Sequence, residues 1–206
     1  MKISSKHEVK NVPTDLTINT GNWDLAIEII KDRFYSRYFN PVEKLISCAD
    51  KSISNNCGFI IMSIDCLLIE TINQFYMGIG STEELYPRNN WMAFRDFFCH
   101  TSNFNEFKTN RNLVKVFYNQ IRCGLLHQAE TKSLSLINIK ENSIVKVIKD
   151  KLDYSDGIII NRNLFHKALK ADFDKYIEQL QDPNSVNFYG ENLREMFMKK
   201  TNKIWG

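Results

Sequence analysis

The stretch Phe117-Tyr118-Asn119-Gln120-Ile121-Arg122-Cys123-Gly124-Leu125-Leu126-His127-Gln128 reads as the last turns of an apolar helix that carries an arginine and a histidine with four residues between them. Leu113, Phe117, Ile121 and Gly124 recur at steps of three and four, so the spacing predicts one helix over 112–128 with a single core-facing line. Tyr118, Asn119, Gln120, Arg122 and His127 crowd polar chemistry onto that segment. Polar side chains drawn toward a core need partners or a purpose. Gly124 costs the helix roughly 1 kcal/mol against alanine. A glycine kept there predicts close approach by another helix, a substrate or a dimer mate.

Working outward, the flanking segments are helical too. Gly21-Asn22 precedes apolar residues at 23, 26, 27, 30 and 34, which predicts a helix over about 22–38 capped by Asn22. Pro41 marks a stop or restart, and 42–49 is helical again. Residues 52–58 read as a polar linker. From Phe59, the residues Ile60, Ile64, Leu67, Leu68, Thr71, Ile72 and Phe75 suggest one apolar face, with Asp65 and Glu70 at its edges and Gly78 and Gly80 ending the helix. The two carboxylates read either as an ion-paired flank or as partners for Arg122 or His127. Ser81-Thr82-Glu83-Glu84 resembles a capping box, and 91–98 is aromatic-rich and helical.

After Thr131 the periodicity changes. Leu134, Leu136 and Ile139 predict a strand, 144–148 a second and 158–160 a third, with turns at Glu141-Asn142 and Asp156-Gly157. The expected fold class is therefore mainly α, a helical bundle with a small antiparallel β insertion near 133–160. Asn161 caps a further helix that Pro183 ends, and 192–200 forms a last short one. Residues 1–20 form a polar N-terminal arm, and 21–206 form a single domain.

Composition narrows the function. The chain has 206 residues, a formal net charge of +3 and 25% charged residues, an ordinary balance that permits a polyanion partner without demanding one. Five cysteines without a CxxC pair support neither a zinc ribbon nor a disulfide framework, so no metal and no cofactor is expected. Cys99-His100 is too short a motif for a metal site. Lys199, Lys200 and Lys203 read as a solvated basic tail. The N-terminus lacks the apolar core of a signal peptide, and 59–76 is broken by Asp65, Glu70, Asn73 and Gln74. The expectation is a cytoplasmic protein without a membrane span.

Arginine and histidine suffice for metal-independent RNA cleavage, because the ribose 2′-hydroxyl is the nucleophile. Histidine exchanges protons near neutrality, and arginine holds two phosphate oxygens while charge develops. Positions five apart on an α-helix are separated by about 140° and about 7.5 Å, however, so one helix aims both groups poorly. A distorted helix end, or two copies meeting in a symmetric dimer, would bring them together. Arg162 and His166, four apart on one face, form a competing pair.

Arg122-Cys123-Gly124-Leu125-Leu126-His127 resembles the Rx4-6H motif of HEPN domains (higher eukaryotes and prokaryotes nucleotide-binding), and the helices before it are similar to that family's body. The resemblance covers about 22–130 and the helix after the sheet. It implies a helical bundle, often a homodimer, whose motif Arg and His lie at a dimer cleft. Many members are metal-independent ribonucleases in toxin–antitoxin, defence or RNA-processing settings. Others bind RNA, nucleotide or a protein partner without catalysis. Carried over, it makes Arg122 and His127 catalytic, RNA the substrate or ligand, and a protein antitoxin or regulator a candidate partner. Asn119, Cys123, Asp65 and Glu70 are candidates to support the pair. Cys123 departs from the family's usual Asn, Asp or His after the arginine, and this favours the non-catalytic alternative.

Overall fold

In a computed structural model, residues 2, 4–148 and 157–205 are described. The chain is mainly helical with a small sheet, as the periodicities predict. α1 (Trp23–Phe34) is capped by Asn22, whose side chain accepts from the Leu25 amide. It runs through a π-helical turn, Tyr35–Phe39, into α2 (Asn40–Ile46). Pro41 therefore restarts a helix. The backbone widens just before it, where a missing donor and the pyrrolidine ring would break an α-helical ladder.

The expected linker at 52–58 is instead mostly helical: α3 (Lys51–Asn56) is capped by Asp50 on the Ser52 amide. Polar composition hid it, because its only long apolar residue, Ile53, is exposed. α4 (Gly58–Met77) follows and ends at Gly78, which takes the left-handed conformation (φ 62°) open to glycine. Its buried side overlaps the face the spacing suggests at Leu68, Ile72 and Phe75 but is rotated away from Ile60 and Leu67. Ile61, Met62, Leu68, Ile69, Ile72 and Phe75 are buried, while Ile60 and Leu67 are 55% and 45% exposed. Other elements cover α4 on several sides, so Asp65 and Asn73 are fully enclosed. Among the described residues, α4 alone is long and apolar enough to cross a membrane by length and composition, and it is mostly buried here.

α5 (Thr82–Leu85), α6 (Trp91–His100) and α7 (Asn105–Thr109) wrap one end of α4. No capping box forms at Ser81; the Glu84 carboxylate accepts instead from the Gly80 amide at 2.7 Å. His100 packs against the body of the helices. Its ring stacks on Tyr76 with centroids 4.2 Å apart, and its Nδ1 lies 2.6 Å from the Asp96 carbonyl.

The predicted helix over 112–128 has three parts: α8 (Arg111–Val116), a π-helical turn (Phe117–Arg122) and α9 (Cys123–Gln128). Phe117 stacks almost parallel on Phe165, centroids 5.3 Å apart, which ties the π-helical turn to the core. β1 (Leu136–Asn138), β2 (Val145–Ile148) and β3 (Gly157–Asn161) form a sheet in the order β1-β3-β2. The sheet is mixed rather than antiparallel: β2 is antiparallel to β3, but β1 is parallel to it, with Leu136 opposite Ile159. Ile158 and Ile160 are buried, so β3 occupies the centre and takes one neighbour on each edge. Of the expected Asp156-Gly157 turn, Asp156 lies outside the described residues and Gly157 opens β3.

α10 (Arg162–Gln179) starts at Asn161, which caps the Asn163 and Leu164 amides. α11 (Leu193–Trp205) is longer than its sequence pattern suggested. Of its expected solvated basic residues, Lys199 and Lys203 are exposed on the helix and Lys200 is not. Lys203 pairs with Glu84, Lys199 with Glu195, and Lys200 is buried, donating to Gln74 Oε1 at 2.6 Å and the Gly80 carbonyl at 2.9 Å. The stem of Lys200 belongs to the apolar face of α11, and a local pattern does not show that the ammonium finds acceptors there. The N-terminal arm has a 3-10 turn, Val9–Asn11, and an isolated antiparallel bridge from Lys2 to Glu8, and is held where Ser5 and the Lys6 amide donate to Asp32.

Two outcomes follow from this packing. A Cβ on Gly124 would lie 2.4 Å from the Glu130 carbonyl oxygen. Gly124→Ala, ordinarily stabilising in a helix, should therefore cost about 1–3 kcal/mol, read as a lowered thermal midpoint. Burial pulls the pKa of Lys200 down from 10.5 to about 8. Between those values the unfolded chain holds a proton that the folded chain has shed, so stability rises with pH across that window. Urea midpoints measured at its two ends should show the rise in the wild type and not in Lys200→Met.

Candidate functional site

Arg122 is the last residue of the π-helical turn, and the Cys123 amide closes that turn on the Tyr118 carbonyl. Such turns are rare and are often found at functional sites. The turn sits against α4, which presents Glu70. The Arg122 Nε donates to Glu70 Oε1 at 2.8 Å, with both side chains largely shielded. Tyr118 lies under the guanidinium, 5.4 Å from its ring centre. Burial works against the charge on Arg122, but Glu70 and its hydrogen bond outweigh that, so the pKa is raised. Burial likewise pushes the Tyr118 hydroxyl up to about 12.

Glu70 takes the Nε edge and fixes the plane of the guanidinium. The terminal nitrogens donate to no described residue. Two parallel donors held in this way match the oxygens of a phosphate or carboxylate.

His127 stands on α9 one and a half turns later. It is exposed and has no hydrogen-bond partner among the described residues. The π-helical widening ends at Arg122, so the step from Arg122 to His127 is ordinary α-helix and keeps the wide angular separation that five positions imply.

The other candidates separate. Glu70 supports Arg122. Cys123 is a half-buried free thiol beside it. Asn119 is exposed, on the wall of a groove. Asp65 belongs elsewhere: its Oδ1 lies 2.7 Å from His166 Nδ1, in a pair enclosed between α4 and α10. Burial holds the Asp65 carboxyl above the usual carboxylate range even with His166 beside it.

The Arg162/His166 pair is thus split between two structural tasks. Arg162 is buried and donates to the Ser54 and Asn55 carbonyls at the end of α3, while His166 serves Asp65. Four-residue spacing does put both on α10 facing the body, but toward different neighbours. No local pattern marks the Asp65–His166 pair, because 101 positions separate its members.

Gly124 admits the chain's own backbone rather than another helix, a substrate or a mate. After α9, Ala129 takes the left-handed conformation (φ 53°) and the chain turns back over Gly124. The Lys132 amide donates to the Gln120 carbonyl at 2.9 Å, and Ser135 Oγ donates to Gln120 Oε1 at 2.6 Å. The loop 129–135 is therefore latched onto the π-helical turn.

Among the described residues no cluster of His, Cys, Asp and Glu is arranged to hold a metal ion. No protein-family model, no curated protein and no solved structure matches the chain.

The Asp65–His166 pair yields a direct test. His166→Ala leaves a buried carboxylate alone and should cost about 3–5 kcal/mol in urea denaturation. Joint replacement of Asp65 and His166 by leucine should cost less than that single change, since no charge is then stranded.

Proposed function

We propose that this protein is a HEPN-like, metal-independent endoribonuclease that acts as a homodimer. The observation that carries the reading is the guanidinium of Arg122, gripped at Nε by Glu70 and with no hydrogen-bond partner among the described residues at its terminal nitrogens, on the helix that also presents an exposed His127. In this reading Arg122 holds the scissile phosphate. His127 of one copy takes the proton from the 2′-hydroxyl as its oxygen bonds to phosphorus, and the other copy's His127 protonates the departing 5′-oxygen. The bond from phosphorus to the 5′-oxygen breaks, leaving a 2′,3′-cyclic phosphate and a 5′-hydroxyl. A toxin or defence role, with a protein antitoxin or regulator, extends the same proposal.

Two copies are needed because one helix does not converge its own Arg122 and His127. The surface near the site supports this. Ile60 and Leu67, seven apart and so on one face of α4, are exposed, as are Leu126 on α9 and Leu134 and Leu136 at β1. α9 and β1 both pack on α4. Apolar surface of this kind commonly marks an interface.

Cys123 supports a second reading, a non-catalytic module that binds RNA, nucleotide or a protein partner, because a thiol orients a phosphate poorly.

The deciding experiment is cleavage of varied RNAs in EDTA. Arg122→Ala and His127→Ala, each folded, should lose at least about 100-fold in rate. Ile60→Glu with Leu67→Glu should give a folded monomer by light scattering and lose cleavage. Absence of cleavage by the wild type would transfer the reading to the binding module. Cleavage that survives both Arg122→Ala and His127→Ala would remove the site.

A further inference from the structure

A groove of about 420 Å³ opens beside the π-helical turn, lined by Asn112, Lys115, Asn119, Gln120, Lys132 and Ser133. Among the described residues no carboxylate lines it. Two independent features of the fold put its cations there. Lys132 comes from the loop that turns back over Gly124 and bonds the Gln120 carbonyl, so a contact remote in purpose from the groove delivers one ammonium to its wall. Lys115 comes from α8, where Trp91 holds it: the Lys115 ammonium and the Arg111 guanidinium each sit 4.9 Å from the centre of the half-buried indole ring. Among the described residues neither Lys115, Arg111 nor Lys132 is paired with a carboxylate, whereas Lys199 and Lys203 on α11 are.

The remaining lining is chemically suited to the same ligand. Asn112 and Asn119 are exposed amides, able to donate to phosphate oxygens and to both donor and acceptor edges of an unpaired base. Gln120 is different. Its side chain is occupied by Ser135, and it anchors the loop rather than offering a free group. Asn119 precedes Arg122 by three positions in the π-helical turn, so the groove lies less than one turn from the candidate site along the same helix.

We infer that this groove is the track for the phosphate backbone of single-stranded RNA leading to Arg122, with Lys115 and Lys132 facing phosphates and Asn112 and Asn119 reaching the nucleotide between them. The inference deepens the ribonuclease reading and rests on RNA being the ligand. Polar contacts of this kind position a strand with little sequence preference, and the cations make binding salt-dependent.

The test is fluorescence anisotropy of a labelled single-stranded oligouridylate, with His127→Ala as the parent so that the RNA stays intact. Lys115→Glu combined with Lys132→Glu should weaken binding about tenfold or more. It should also make the fall of affinity with salt shallower by about 1.4 in the log–log slope, about 0.7 for each lost phosphate contact on a single strand. The control pair Lys51→Glu with Lys140→Glu carries the same charge change at exposed positions elsewhere and should bind like the parent. Equal loss in both pairs, unchanged binding in the groove pair, or a parent that binds no RNA would each overturn the groove. Cleavage by the wild type decides the other question separately. Cleavage dependent on Arg122 and His127, with binding indifferent to Lys115 and Lys132, sinks the groove and leaves the ribonuclease. Binding through the groove without any cleavage does the reverse.

Discussion

The packing depends on α4 being enclosed while it carries polar side chains. Asp65, Glu70, Asn73 and Gln74 all lie on this helix, and each takes a partner from a different element. His166 of α10 meets Asp65, Arg122 of the π-helical turn meets Glu70, Tyr86 meets Asn73 at 3.3 Å, and Lys200 of α11 meets Gln74. Tyr86 passes the connection on to Asp96 of α6 at 2.8 Å. An apolar helix of this length accepts neighbours at many rotations and registers. A helix with buried polar groups accepts only those neighbours that present the matching donor or acceptor, since an unmatched group costs about 1–3 kcal/mol.

This places the candidate site within the folding problem. Glu70 is at once part of the polar seam and the group that aims Arg122. The same contact that registers α4 against the π-helical turn leaves the guanidinium with two donors in hand. A helix that continued in α geometry through Phe117–Arg122 would rotate every later side chain relative to α4. The wide turn takes up one residue and lets Phe117 stack on Phe165 while Arg122 still reaches Glu70. Packing on one side and the ion pair on the other are both met in the turn that carries the extra residue.

The loop after α9 shows how a backbone contact becomes surface chemistry. Gly124 has no side chain, so the Glu130 carbonyl can lie against it, and Ala129 supplies the left-handed turn. The loop lands on Gln120, β1 begins from it, and Lys132 is left beside Lys115. β1 then pairs parallel with β3.

By itself the sequence determined most elements and their caps. Apolar recurrence at three and four marked α1, α4, α10 and the helix over 112–128, and Asn22, Asn161 and Gly78 marked ends, because these are local effects of side-chain spacing and backbone freedom. Arg122 and His127 were legible as a motif, and Glu70 as one of two candidate carboxylates. Tertiary structure alone decided which carboxylate went where. Asp65 and Glu70 both flank the apolar face, and only the placement of α10 and the π-helical turn assigns one to His166 and the other to Arg122. It also decided that Ile60 and Leu67 face outward, that Lys200 is buried, and that the sheet is mixed. Each depends on what lies across from a residue, and a chain pattern records only what lies beside it along the backbone.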